Sequence, residues 1–71
     1  MEEIKKKLSV NNLMNTIDNH DGTITLEFNV NNKMVYIDTE INDNMKNNEF
    51  YFDNENTVNE IIKNSNNIKI K

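Results

Sequence analysis

Residues 23–41, TITLEFNVNNKMVYIDTEI, decide the fold. In the first eight, Ile24, Leu26, Phe28 and Val30 alternate with Thr23, Thr25, Glu27 and Asn29. Successive side chains of a strand point to opposite faces, so this alternation reads as a half-buried β-strand. Asn31-Asn32 follows, and Asn tolerates the left-handed backbone that a two-residue hairpin turn demands. A turn there sets Phe28 opposite Val35 and Leu26 opposite Ile37, with the apolar partners on one face. A slip of one residue would reverse the faces, so the register is strongly specified. The second strand is expected from about Lys33 to Ile41.

On the N-terminal side, Val10, Leu13, Met14 and Ile17 follow the i, i+3, i+4, i+7 spacing of one helical face. A helix is therefore expected from about Glu2 to Asp18, with a kink near Ser9, whose hydroxyl can cap a new turn. Asn19-His20-Asp21-Gly22 breaks it, at the only Gly of the chain. On the C-terminal side, Asn42–Asn48 reads as a loop and Glu49–Asp53, EFYFD, as a third short strand with Phe50 and Phe52 inward. Thr57-Val58-Asn59-Glu60 matches a capping box, and Val58, Ile61 and Ile62 give the helix after it one apolar face. Ile68-Lys69-Ile70-Lys71 alternates and suits an edge strand guarded by outward lysines. The expected class is α+β: an N-terminal helix, a three-stranded antiparallel sheet and a short second helix. The order is α-β-β-β-α, or α-β-β-β-α-β if the last segment adds a fourth strand. Helices would cover the apolar face.

The 71 residues make one small domain, 1–71, with a modest core and stability of a few kcal/mol at about this size. Seventeen residues are Asn, while Gln, Ala, Arg, Pro, Cys and Trp are absent, the bias that A+T-rich codons produce. The expected source is an A+T-rich bacterium, or a phage or mobile element living in one. Without Cys there is neither a disulfide nor a thiolate metal site. MEEIKKK does not read as a secretory signal, and no apolar run approaches the roughly 20 residues of a membrane span. The expectation is a cytoplasmic protein of a bacterial host cell. Net charge is −4, unevenly spread: residues 18–60 hold ten acids against Lys33 and Lys46, and both ends are weakly basic. Such a centre repels nucleic acid and attracts basic surfaces.

Catalytic motifs are scarce. Aligning Gly22 with the invariant Gly of a calcium loop puts Ile17 and Phe28 at ligand positions, where neither coordinates. His20 is the only His and cannot by itself build a triad or a two-His metal site. One Gly makes no phosphate loop. Lys5-Lys6-Lys7, preceded by two glutamates, reads as a solvated helix face. No enzyme activity, metal or cofactor is expected.

The outward face of the sheet is the candidate site. The hairpin register sets Glu27 opposite Tyr36, Thr25 opposite Asp38 and Thr23 opposite Glu40, and the third strand would add Glu49, Tyr51 and Asp53. Carboxylates two residues apart stand roughly 6.6 Å apart on a strand. That is close to twice the roughly 3.4 Å rise per nucleotide of a duplex strand. Such an array can occupy a groove built for phosphates, with Tyr36 and Tyr51 as interface anchors. Asp43, in the loop that follows, would extend the footprint. The partner-binding candidates are thus Glu27, Tyr36, Asp38, Glu40, Asp43, Glu49, Tyr51 and Asp53.

In size, charge and element order the chain resembles phage-encoded anti-CRISPR proteins, some of which act on Cas nucleases as nucleic-acid mimics. The resemblance implies an inhibitor that occupies a basic nucleic-acid-binding groove of a Cas effector or its guide-loaded complex. The residues alone imply less: an acidic, non-enzymatic binding protein for a positively charged host protein, without direct nucleic-acid or membrane contact. Two other readings stay open, a phage structural or assembly accessory protein and an antitoxin-like partner of a basic toxin.

Overall fold

The computed structural model describes residues 2–47 and 51–71. The fold grows from the hairpin. β2 (Thr23–Val30) pairs antiparallel with β3 (Lys33–Glu40), with Phe28 opposite Val35, Leu26 opposite Ile37 and Glu27 opposite Tyr36, as the alternation requires. Asn31 and Asn32 take φ of 52° and 67°, the left-handed pair that matches the twist of the strands. The Asn29 side chain accepts from Asn32 N–H at 3.1 Å and holds the turn.

Both free edges of this hairpin are used. β1 (Leu13–Asp18) pairs antiparallel with β2, and β4 (Ile68–Ile70) with β3, giving a four-stranded sheet in the order β1-β2-β3-β4. The α+β class and the order helix, three strands, helix, strand are those expected. The segments filling two of the slots differ. The expected helix Glu2–Asp18 stops early: α1 covers Glu2–Lys7, Ser9 caps a 3-10 turn at Val10–Asn12, and the chain then extends as β1. Asn11, Asn12, Thr16 and Ile17 are poor helix formers, and pairing with the exposed edge of β2 outweighs the helical spacing. A bulge at Met14 shifts the register, so Leu13 faces the core opposite Phe28 while Asn15 and Ile17 turn outward.

The expected third strand at Glu49–Asp53 is replaced in part by a 3-10 turn at Tyr51–Asp53, with Glu49 and Phe50 outside the described residues. The chain end takes the place beside β3 instead. The expected loop at Asn42–Asn48 contains a short helix, α2 (Asp43–Asn47), capped by Asn42 through its side chain to Met45 N–H at 3.0 Å. The last helix, α3 (Glu55–Asn64), begins earlier than the capping box proposed. Its cap is Asn54, which accepts from Asn56 and Thr57 N–H at 2.9 and 3.3 Å. Asn is as good a cap as Ser or Thr, and starting there adds a further helical turn.

One face of the sheet carries the core. Leu26, Phe28, Val30, Val35, Ile37 and Ile68 are buried against Leu8, Val58 and Ile62, with Ile4, Val10, Leu13, Phe52 and Ile61 packed around them. Tyr51 and Phe52 meet edge to face at 5.2 Å. Lys5 Nζ donates to the Lys63 carbonyl at 3.2 Å, tying α1 to the negative end of α3.

Phe28 is wholly enclosed at the centre. Phe28→Ala should cost about 3–5 kcal/mol, most of the stability of a domain this small. Urea unfolding followed by circular dichroism is expected to show a cooperative transition for the wild type and none, or one at very low urea, for the variant. Ile37→Val should cost about 0.5–1.5 kcal/mol and keep a sharp transition.

Candidate functional site

The outer face of the sheet is built by period two from four strands. β2 supplies Thr23, Thr25 and Glu27, β3 supplies Tyr36, Asp38 and Glu40, β1 supplies Asn15 and Ile17, and β4 supplies Lys69 opposite Tyr36. Four of the eight candidates therefore share one wall: Glu27, Tyr36, Asp38 and Glu40. Asp43, Tyr51 and Asp53 do not join it. Asp43 lies in the first turn of α2, Tyr51 and Asp53 lie in the 3-10 turn, and Glu49 falls outside the described residues. With Tyr51–Asp53 in a 3-10 turn, Asp53 does not extend the row of carboxylates on the wall.

Two of the acids on the wall, Glu27 and Asp38, have partners of their own. Asn15 Nδ2 donates to Glu27 Oε1 at 2.7 Å, and Thr25 Oγ1 donates to Asp38 Oδ1 at 2.6 Å. Lys69 Nζ lies 3.9 Å from Asp38 Oδ2, an exposed pair of small energetic weight. Lys71 Nζ sits 5.5 Å from the Tyr36 ring centroid, in range for a cation–π contact. Desolvation on the crowded sheet face, and then the hydrogen bond and charge of Glu27, raise the Tyr36 phenol above its usual value of 10.0.

A second feature gathers candidates in a different way. β4 pairs with β3 only from Val35 to Ile37, so Asp38–Glu40, paired with β2 on one side, has no neighbouring strand on the other among the described residues. Lys71 N–H donates to Met34 O at 2.9 Å. By the alternation of an antiparallel ladder, the peptide groups of Asp38 and Glu40 face the same side. Asn67 N–H turns to Ser65 Oγ at 3.3 Å rather than prolonging the pairing. The result is a groove of about 670 Å³ between the end of β3 and α3. Asp38, Thr39 and Glu40 form one side, and Thr57, Glu60, Ile61 and Asn64 the other, with Met45 and Tyr51 also in the lining. Three acidic residues are among those lining it, and no lysine is among its described lining residues.

Sequence reasoning missed Glu60, which it assigned to a capping box. The signal was present in the sequence: Thr57, Glu60, Ile61 and Asn64 keep i, i+3, i+4, i+7 spacing once the helix begins at Glu55. Among the described residues, no group of three or more His, Asp or Glu could hold a metal ion. His20 is exposed in the β1–β2 turn at φ 60°, where its backbone N–H donates to Asp18 Oδ1 at 2.8 Å. No described helix is long and apolar enough to cross a membrane. No protein-family model matches the chain, and neither a curated protein nor a solved structure matches it.

The Tyr36 environment is testable. Its folded value lies above its unfolded one, so its contribution to stability is present below pH 10.0 and is lost as pH rises through the folded value. Glu27→Gln removes the nearby charge but not the burial. Ultraviolet titration of tyrosinate, with Tyr51→Phe to isolate the signal, should show Tyr36 ionising at lower pH in the variant, though still above the usual value.

Proposed function

We propose that this chain is a non-enzymatic acidic binding protein whose groove between β3 and α3 receives positively charged side chains of a partner protein. The observation that carries this reading is the lining: Asp38, Glu40 and Glu60 line one groove and no lysine is among its described lining residues, although Lys69 stands 3.9 Å from Asp38 at its edge. Tyr51 stands beside them, an amphipathic ring of the kind that anchors interfaces. The outer wall contributes less, because Asn15, Lys69 and Lys71 already engage Glu27, Asp38 and Tyr36. Contact is thus concentrated in a local groove rather than spread along an evenly spaced row of carboxylates.

In its narrower form, the reading makes the partner a basic nucleic-acid groove of a Cas effector and the chain an inhibitor carried by a phage or mobile element. Size, a net charge of −4 and element order support it. The mechanism is occupation and charge neutralisation, with no chemical step.

Binding to guide-loaded Cas effectors from A+T-rich bacteria, measured by biolayer interferometry, tests both forms. Association should slow, and affinity fall about tenfold or more, between low and moderately high salt. Glu40→Lys with Glu60→Lys should remove binding while leaving the fold intact, since both residues are exposed. A complex indifferent to salt and to the double charge reversal would overturn the groove reading. Binding to a basic protein of another kind, with the same sensitivities, would keep the groove and remove the Cas effector.

A further inference from the structure

β1 is the strand that the core claims least. Met14–Asp18 is exposed throughout. Among the described residues, three large hydrophobic side chains are exposed: Met14 at 58%, Ile17 at 42% and Ile70 at 49%. Two are on β1, and the third is on β4 at the opposite edge of the sheet. The edges differ in protection. Lys69 and Lys71 flank Ile70, the usual guard against edge-to-edge pairing. β1 has neither Lys nor Pro, and residues 8–17 carry no charged side chain at all. In a chain of net charge −4, this is where a second copy meets the least repulsion.

The direction of the peptide groups sets the geometry of such a contact. Asn19 N–H donates to Thr23 O at 3.1 Å. Hydrogen-bonded pairs alternate along an antiparallel ladder, so Ile17 and Asn15 bond toward β2, and Thr16 and Asp18 present their peptide groups to the open edge. The bulge at Met14 interrupts the regular edge, leaving Asn15–Asn19 to pair. A two-fold axis at Ile17 sets Thr16 against the second copy's Asp18, closing four N–H···O bonds. Ile17 then meets its own mate in a non-hydrogen-bonded position, where facing Cα atoms come to about 4.5 Å, and Asn15 faces Asn19. No like charges fall directly opposite, and Asp18 Oδ1 is already engaged by His20 N–H at 2.8 Å. Moving the axis to Thr16 would require bulged Met14 to bond Asp18 and would set Ile17 against Asn15.

The geometry points to a symmetric dimer in which two copies pair their β1 edges antiparallel about Ile17, joining two four-stranded sheets into one. The ladder is short, well under the roughly 1,000 Å² of a stable interface, so the dimer is weak and concentration-dependent. The groove lies beyond β3, so the dimer leaves both grooves open at its two ends and can engage two basic sites at once. The inference does not rest on the basic-partner reading.

Sedimentation velocity on the full chain, from about 10 μM to about 1 mM, tests it in the range where so small an interface is populated. A shift from monomer to dimer is expected, and it should strengthen with salt as repulsion between two acidic chains is screened. Partner binding in the groove would move the opposite way. Ile17→Lys sets two ammonium groups together at the axis and should weaken dimerisation at least about tenfold, whereas Ile70→Lys should leave it unchanged. Amide hydrogen exchange of the wild type gives a readout independent of any variant. Thr16 and Asp18 should gain protection as concentration rises, while Asn15 and Ile17 stay protected throughout. A monomer over the whole range, growth beyond a dimer, sensitivity to Ile70→Lys in place of Ile17→Lys, or exchange at Thr16 and Asp18 independent of concentration would each overturn the dimer.

Discussion

The pairing of Phe28 with Val35 and Leu26 with Ile37 is the constraint on which the rest of this protein depends. These four residues are wholly enclosed. Their cross-strand contacts put the apolar side chains of the hairpin on one face, because the side-chain period is two. The Asn31-Asn32 turn permits only this register. Once it is set, Glu27, Tyr36, Asp38 and Glu40 must share the other face, and Leu8, Val58 and Ile62 have one surface to cover. The positions of the helices and the chemistry of the outer wall follow from one local choice at the turn.

The parts legible in the sequence are those where one signal acts alone. The hairpin is legible because alternation, turn chemistry and register agree. The final strand is legible because Ile68-Lys69-Ile70 alternates with nothing competing. β1 was hidden because Leu13 and Ile17 satisfy helical spacing, while a bulge at Met14 breaks the alternation that would have revealed a strand. Only the neighbouring edge of β2 decides between them, and that is tertiary information. The EFYFD segment alternates as a strand would, yet the place beside β3 is taken by the end of the chain. A local pattern does not show which of two segments fills a shared slot. Of the candidate site, the wall positions of Glu27, Tyr36, Asp38 and Glu40 were legible from register. The groove was not, because it depends on where β4 stops.

β4 links the two faces of the charge problem. Residues 18–60 carry a large excess of acid, and the terminal segment carries Lys63, Lys69 and Lys71. Docking Ile68–Ile70 beside β3 brings Lys69 to Asp38 and Lys71 to Tyr36. The basic end of the chain thus relieves part of the repulsion across the acidic sheet. Each such exposed contact is worth little alone, but they act in the same direction.

That relief is incomplete for a geometric reason. β4 is three residues long and β3 is eight, so the C-terminal end of β3 extends past the reach of the lysines. Lys69 still reaches Asp38, but Glu40 lies two residues further on, and Asp38, Glu40 and Glu60 of α3 all line the groove. Clustered like charge disfavours folding in proportion to how poorly water screens it. An open groove screens it better than a closed interior, so the fold tolerates acids there at modest cost. The same exposure leaves them accessible to a cation from outside. Extending β4 by two residues would cover the edge of β3 and remove the groove. The short final strand therefore makes an open acidic groove compatible with so small a core.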